Sequence, residues 1–222
     1  MLLVTKNPQF IIFDDFLPQK DFQIVQNYVR DENYQTFDTN SFHQVHNIFD
    51  GTPLLGESSA ILNKHKSKTI TGLELFVEHL SNKTDALDEW IGKKYIDWET
   101  FTAKVFLYPQ GAGLVWHNDG GIKTGSYAFY IHSHWNVQWG GDLLIADEST
   151  RNIDYPPSQD LHYEYDTQKN IDIGIGQYIA PKPNRLVVIA AGNPHRINKV
   201  EPMAGENLRS SISGFFVRSK NY

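Results

Sequence analysis

The sequence contains no cysteine among its 222 residues. This absence excludes disulfide bonds, thiolate metal sites and cysteine nucleophiles, so any metal ion would have to be held by histidine and carboxylate side chains. No apolar run is long enough to span a bilayer, and the first residues lack the apolar stretch of a signal peptide. We therefore expect a cytoplasmic protein without a membrane segment.

Basic residues are also scarce. The chain has 20 lysines and arginines against 26 aspartates and glutamates, which gives a formal net charge of −6. Since no basic run reverses this balance locally, a nucleic-acid partner is not expected. The hydrophobic fraction of 40% and the aromatic fraction of 13% are typical of a globular protein. The length fits a single domain over residues 1–222.

Residues 1–100 are predicted to form a mainly helical support. Pro18 suits the first turn of a helix whose apolar face recurs at Phe22, Val25 and Val29. A second stripe has helical spacing and consists of Leu73, Phe76, Val77 and Leu80. The polar segment 31–68 lies between them and includes His43, His46 and His65, whose spacing matches no ligand set and favours a surface loop.

The character of the sequence changes after Trp98 to short strand-like runs. Glycine or proline separates nearly all of them, which is typical of turns between strands. The predicted strands are Thr102–Tyr108, Leu114–His117, Tyr127–His132, Asp142–Ala146, Asp172–Ala180, Arg185–Ala190, His195–Val200 and Leu208–Val217. Eight such strands over residues 101–218 predict a two-sheet jelly roll of the cupin type, and with the preceding helices an α+β class.

A histidine and an aspartate stand two residues apart at His117 and Asp119. Because side chains on a strand alternate with a period of two, both would project from one face and could bind one ion. Two imidazoles and one carboxylate form the facial triad that holds non-haem Fe(II). The tripeptide alone is a weak signal in a chain with nine histidines.

A second stretch strengthens the metal hypothesis. The apolar run Leu186–Ala190 leads through a Gly-Asn-Pro turn to His195, and Arg209 and Ser211 follow on one predicted strand. An arginine presents a planar fork that pairs with a carboxylate through two hydrogen bonds, and a hydroxyl two residues further on can add a third.

The order His-x-Asp, distal His and Arg-x-Ser resembles the Fe(II)- and 2-oxoglutarate-dependent oxygenases, in particular their prolyl-4-hydroxylase-like branch. Further motifs agree with that branch: Y-P-Q-G-A-G from Tyr108 to Gly113, Tyr130 with Trp135, Gly140-Gly141-Asp142-Leu143, and Asn193-Pro194-His195. The resemblance covers about half of the chain, and its specificity comes from the combination of the motifs.

The resemblance implies a double-stranded β-helix in which His117, Asp119 and His195 bind Fe(II). Arg209 would pair with the distal carboxylate of the co-substrate 2-oxoglutarate, assisted by Ser211 and by Tyr108 or Tyr130. The implied reaction uses dioxygen and hydroxylates an unactivated C–H bond while 2-oxoglutarate is decarboxylated to succinate. Ascorbate is a candidate accessory cofactor.

The sequence leaves the substrate open between a peptidyl proline, a free amino acid and a small biosynthetic intermediate. Arg209 stands where the collagen-type enzymes carry lysine, which disfavours a collagen-like substrate. We expect the segment 147–178 and the Gly120–Ser126 loop to form a substrate lid.

Two other functions remain as alternatives. One is a jelly-roll binding module without catalysis, although such a module has no need of the full residue set. The other is a zinc-dependent hydrolase that uses the same His/Asp/His set, but it leaves Arg209 and Ser211 unexplained.

Overall fold

The computed structural model describes residues 1–36, 53–60, 71–119, 121–151 and 174–218. These residues form twelve strands, three α-helices and short 3₁₀ turns. The strands are β1 Leu2–Lys6, β2 Phe10–Asp14, β3 Gln35–Thr36, β4 Leu54–Ala60, β5 Thr100–Tyr108, β6 Leu114–His117, β7 Lys123–Tyr130, β8 Leu143–Ala146, β9 Gly176–Ile179, β10 Leu186–Ala190, β11 His195–Ile197 and β12 Arg209–Val217. The helices are α1 Gln19–Asp31, α2 Gly72–Ser81 and α3 Asp88–Ile91.

Two antiparallel sheets organise the fold. The large sheet has the strand order β1-β2-β10-β7-β12-β5-β4-β3, and the small sheet has the order β6-β11-β8-β9. Because side chains alternate along each strand, the large sheet buries apolar residues on both of its faces. One apolar cluster lies between the two sheets. It contains Leu143 and Ile145 of the small sheet and, from the large sheet, Phe10, Ile12, Val187 and Ile189.

The helices cover the opposite face of the large sheet. In α1 the predicted face of Phe22, Val25 and Val29 is buried. Helix α2 begins at a capping box in which the Thr71 side chain accepts from the Glu74 backbone and the Glu74 side chain accepts from the Thr71 backbone. Phe76 of α2 stacks on Phe129 of β7 with ring centroids 4.8 Å apart. The fold therefore has three layers, namely helices, large sheet and small sheet.

Besides the predicted helices, the amino-terminal hundred residues contribute four strands, β1 to β4, to the large sheet. Strand β2 lies inside the sheet next to β10, and all five of its residues are buried. The sequence of a strand that is buried on both faces is a continuous apolar run. Such a run does not show whether the strand pairs with one or with two other strands of the sheet. The histidines at 43, 46 and 65 lie outside the described residues.

The predicted lid loop Gly120–Ser126 was wrong for most of its length. Strand β7 begins at Lys123, and Ser126 and Gly125 pair with Phe215 and Phe216 of β12. Within the segment 147–178, residues 152–173 are outside the described ranges, and Gly176–Ile179 pairs with β8 as the edge strand β9. The lid function of that segment stays a prediction.

No helix within the described ranges is long and apolar enough to cross a membrane.

Candidate metal and co-substrate site

Three side chains with metal-binding atoms meet at one end of the small sheet. His117 is the last residue of β6 and His195 the first of β11, and the two are direct partners in the antiparallel register. Asp119 follows β6 by two residues. One ligand atom from each of the three side chains lies within 4.8 Å of the others. The structure thus brings together the three residues that the sequence predicted as a metal set.

Both imidazole rings are oriented by the backbone. The Nδ1 atom of His117 lies 2.8 Å from the carbonyl oxygen of Val115, and Nδ1 of His195 lies 2.9 Å from that of Asn193. A carbonyl oxygen can only accept, so Nδ1 carries the proton in each ring. In a neutral ring the Nε2 atom therefore carries the lone pair that can bind a metal ion. Both Nε2 atoms point at Asp119: Nε2 of His195 is 3.3 Å from Oδ2, and Nε2 of His117 is 4.0 Å from Oδ1. Such backbone hydrogen bonds are the usual way in which metal-binding histidines are held.

The charges in this cluster are strongly coupled. Burial, followed by the neighbouring His195, lowers the pKa of His117 to about 4, so its ring is neutral at physiological pH. Burial alone would lower the pKa of His195, but the charge and hydrogen bond of Asp119 raise it above the ordinary value. Burial would likewise raise the pKa of Asp119, but His195, His117 and Lys123 hold it far below its usual range. The site therefore offers a carboxylate and a neutral imidazole, and its second imidazole releases a proton when a cation binds.

Arg209 lies fully buried at the start of β12, between two tyrosine rings. Its Cζ atom is 4.9 Å from the ring centroid of Tyr130 and 5.2 Å from that of Tyr108. Nε donates to the carbonyl of Gly141 at 2.6 Å, and Nη2 donates to the Tyr130 hydroxyl at 3.4 Å. Nη1 is buried without a hydrogen-bond partner, and none of the described residues places a carboxylate within 4.0 Å of the guanidinium. A buried charge without a counterion is unfavourable, so this arrangement fits an anionic ligand.

The motif residues around Gly141 hold Arg209 in place. The indole of Trp135 donates to the carbonyl of Gly140 at 2.9 Å, and the next carbonyl, that of Gly141, accepts from Arg209. Gly141 has a φ of +70°, and a Cβ atom there would lie 2.7 Å from Cδ of Arg209. The residue must therefore be glycine both for its backbone conformation and for the close approach of the arginine.

The remaining predicted residues also line the space beside Arg209. Tyr108 is the register partner of Arg209 across β5 and β12, and Ser211 is the partner of Tyr130 across β12 and β7. Burial raises the pKa of Tyr108 to about 12, although the nearby Arg209 opposes the shift. Burial likewise raises the pKa of Tyr130. Both phenols stay protonated at neutral pH, so each can donate a hydrogen bond to an anion.

One residue that the sequence did not indicate joins the site. Lys123 places Nζ 3.3 Å from Oδ1 of Asp119 and 3.7 Å from the centre of the Phe215 ring. A simple alternation would turn Lys123 towards the helices, because Tyr127 and Phe129 point there. A β-bulge breaks the register between Phe216 and Val217, so Lys123 pairs with Val217 and faces the site. A bulge of this kind has no reliable sequence signal, so alternation alone could not find Lys123.

Comparison with known proteins supports the fold. No family model matches the sequence. A search of curated proteins also gives no match. Solved structures do match. A Pseudomonas putida prolyl-4-hydroxylase superposes with a TM-score of 0.61 at 16% identity, covering 95% of this chain and 93% of its own.

Two further structures agree with this result. A Trichoplax adhaerens prolyl hydroxylase, solved with a hypoxia inducible factor peptide fragment, gives a TM-score of 0.58 at 18% identity, covering 95% of this chain and 84% of its own. A viral collagen prolyl hydroxylase from Paramecium Bursaria Chlorella virus-1, solved with 2-oxoglutarate, gives 0.55 at 11% identity, covering 95% and 97%.

The chain therefore has the fold of the 2-oxoglutarate- and Fe(II)-dependent oxygenases, and the predicted α+β class with two antiparallel sheets is confirmed. The exact jelly-roll connectivity stays a prediction.

Proposed function

We propose that this protein is an Fe(II)- and 2-oxoglutarate-dependent dioxygenase that hydroxylates a C–H bond. The observation that supports this most strongly is the pairing of two features in one fold. One is a two-histidine, one-carboxylate set with both Nε2 atoms available, and the other is a buried arginine without a carboxylate partner among the described residues.

The donor set fits Fe(II). Two imidazoles and one carboxylate on one face of the coordination sphere form the arrangement that non-haem iron prefers. This arrangement leaves the remaining coordination positions open for other ligands. His117, Asp119 and His195 would hold the ion, and the backbone hydrogen bonds of the two histidines would fix their ring orientation.

The arginine pocket fits a dicarboxylate. Arg209 would pair with one carboxylate of 2-oxoglutarate through the unpartnered Nη1. The hydroxyl of Tyr130 contacts Nη2, and Ser211 is the register partner of Tyr130. When bound, iron and 2-oxoglutarate would supply the oxidising chemistry, in which dioxygen is consumed, 2-oxoglutarate becomes succinate and carbon dioxide, and a substrate C–H becomes C–OH. The part of this chain is to bind and orient both groups between the two sheets, next to the apolar cluster that joins them.

For the substrate we propose a prolyl-hydroxylase-like reaction on a peptide or an amino acid. Support comes from the flanking motifs and from the three solved structures described above, which are all prolyl hydroxylases. The binding-module and zinc-hydrolase alternatives both leave the buried Arg209 without a role.

The test is to mix the metal-free protein anaerobically with Fe(II) and 2-oxoglutarate and to record the weak visible charge-transfer band of the chelated co-substrate. We expect the band in the wild type, its loss in His117→Ala and a higher 2-oxoglutarate requirement in Arg209→Ala. Arg218→Ala is the matched control, because Arg218 directly follows the far end of β12 and donates to the carbonyl of Asp97. No band in the wild type, with zinc as the bound metal, would overturn the proposal in favour of a hydrolase.

A further inference from the structure

The wall of the large sheet that faces the metal set is strongly basic, although the chain as a whole is acidic. Three adjacent strands, β5, β12 and β7, each contain a single charged residue, and each of these is basic: Lys104, Arg209 and Lys123. The strands contain no aspartate or glutamate at all. The whole chain has a net charge of −6, but these three strands carry only positive charges. Positive charge is therefore concentrated on this surface.

Lys104 faces the same side as Arg209. Its neighbours Ala103 and Val105 belong to the core beneath the helices, so the alternation of the strand turns Lys104 towards the small sheet. Its register partner on β12 is Ser213, which is two residues beyond Ser211 and four beyond Arg209. Among the residues whose side chains the structure describes, Lys104 has no partner in an ion pair or hydrogen bond, and partial burial lowers its pKa.

Lys123 lies at the other end of this wall, next to the metal set. Its ammonium lies over the ring of Phe215, which is the next inward residue after Ser213 on β12, and it also contacts Asp119. Diagonal neighbours on a sheet are about 7–8 Å apart, so Lys104, Ser213 and Phe215 form one continuous surface that ends at the metal ligands.

The charges of the site leave a surplus. Lys123 pairs with Asp119, and Arg209 interacts electrostatically with Asp142, the residue after Gly141. A divalent iron with a doubly charged 2-oxoglutarate adds no net charge. Lys104 therefore remains as the basic group of the wall that no described side chain offsets. A neutral substrate would leave it uncompensated in a partly desolvated cleft.

We propose that the substrate carries a carboxylate that binds to Lys104 and Ser213, so that its reacting C–H bond lies towards Phe215 and the metal set. This inference rests on the proposed function and deepens it. The carboxylate is either that of a free acid or that of an acidic side chain in a peptide, and both would meet the same ammonium and hydroxyl groups.

The test uses the full chain with Mn(II) in place of Fe(II), which allows binding without turnover. Paramagnetic relaxation of ligand protons then reports which compounds bind beside the metal in the presence of 2-oxoglutarate. The probes are matched pairs of equal shape: N-acetyl-L-proline against its amide, and N-acetyl-Glu-Pro-amide against N-acetyl-Gln-Pro-amide. We expect the acid of at least one pair to bind about five- to tenfold more tightly than its neutral partner. The pair that shows this preference identifies the source of the carboxylate.

Variants assign the preference to one residue. Lys104→Met should abolish it and Lys104→Arg should retain it, while Lys83→Met, which removes an exposed lysine just after α2, should change nothing. Equal or absent binding of both members of every pair, or a preference that survives in Lys104→Met, would overturn the inference. The relaxation of the 2-oxoglutarate protons is measured first, because a failure there contradicts the proposed function instead.

Discussion

The polar side chains of the site are held by backbone carbonyls. His117 is oriented by Val115, His195 by Asn193 and Arg209 by Gly141, in each case at 2.6 to 2.9 Å. A carbonyl in a strand or a tight turn moves less than a side chain, so these contacts orient each group before any ligand arrives. We therefore expect the affinity for the metal ion and for 2-oxoglutarate to depend on the backbone conformation at these three positions.

Gly141→Ala should weaken 2-oxoglutarate binding about tenfold or more, because the new methyl group would displace a guanidinium that makes charge-assisted hydrogen bonds. The displacement follows from the 2.7 Å distance between a Cβ at this position and Cδ of Arg209. Titration of the charge-transfer band with 2-oxoglutarate measures the change.

Gly205→Ala is the control for backbone strain. Gly205 also has a positive φ, of +58°, but no atom lies within 4 Å of a Cβ placed there. Both variants should lose about 1–3 kcal/mol of unfolding free energy, because residues with a Cβ atom avoid these positive-φ conformations. If Gly205→Ala weakened 2-oxoglutarate binding as much as Gly141→Ala does, contact with Arg209 would not be the cause.

Tyr130→Phe should raise the dissociation constant of 2-oxoglutarate about fivefold, which corresponds to about 1 kcal/mol for one hydrogen bond. The hydroxyl accepts from Nη2 of Arg209, and its own proton is available to a carboxylate. Isothermal titration of the Mn(II) protein measures the constant.

Tyr127→Phe provides the matched comparison. The Tyr127 hydroxyl donates to the carbonyl of Thr102 at 2.7 Å, and its ring packs in the core beneath the helices. Its loss should lower stability and leave the 2-oxoglutarate constant unchanged. Equal constants for Tyr130→Phe and the wild type would remove Tyr130 from the co-substrate pocket.

At the scale of elements, an ionic cluster joins β2 to the loop that precedes β10. The buried carboxylate of Asp14 accepts from Nε of Arg185 at 2.7 Å and from Nζ of Lys182 at 2.6 Å. Burial would raise the pKa of Asp14, but the hydrogen bonds and charges of Arg185 and Lys182 outweigh it and lower the pKa. Strand β10 separates Arg185 from His195, so the cluster lies at the other end of this strand from the metal set and contributes to stability.

Asp14→Asn should cost about 2–4 kcal/mol of unfolding free energy at neutral pH, since it leaves two basic groups without their partner. Because the folded pKa of Asp14 is depressed, the advantage of the wild type is fully present above the unfolded pKa of about 3.9. It is lost as the pH falls through the lower folded value. Urea unfolding at pH 7 and at successively lower pH checks this, and a difference that stays constant into acid would contradict it.

At the scale of the whole molecule, the large sheet separates stability from function. One of its faces packs against the helices around Phe76 and Phe129, and the other carries Arg209, Tyr130 and the basic wall. Successive side chains of each strand point to opposite faces of the sheet. Residues next to each other in the sequence therefore have different roles, one in the helix-side core and the other in the site.

Phe76→Ala should lower the unfolding free energy by about 3–5 kcal/mol, because it removes a fully buried ring from the helix-side core. The 2-oxoglutarate constant of the folded protein should stay unchanged. Denaturant unfolding and binding under folded conditions measure the two quantities, and a large change in the constant would show that the two faces are coupled.

Much of this architecture could be predicted from local patterns. The helix face of Phe22, Val25 and Val29 and the strand Leu114–His117 were predicted correctly, because hydrophobic periodicity and turn residues are local signals. Strands β1, β3 and β4 were missed for two reasons. Strand β1 is exposed along its whole length and so shows no buried alternation. Strands β3 and β4 join the sheet through the pairing of β4 with β5, which is distant in the chain. The predicted loop Gly120–Ser126 likewise includes the start of β7 at Lys123, because the partners of β7 lie far away in the chain.

The sequence by itself determined which residues could form the site. Residue type and order identified His117, Asp119, His195 and Arg209, because metal ligation and carboxylate pairing require particular side chains whatever their surroundings. The tertiary structure alone decided what lies around them. The register that pairs His117 with His195, the bulge that turns Lys123 towards Asp119, and the alignment of Lys104 with Ser213 all depend on strand pairings between segments far apart in the chain. Such pairings result from the packing of the whole sheet, and no local pattern encodes them.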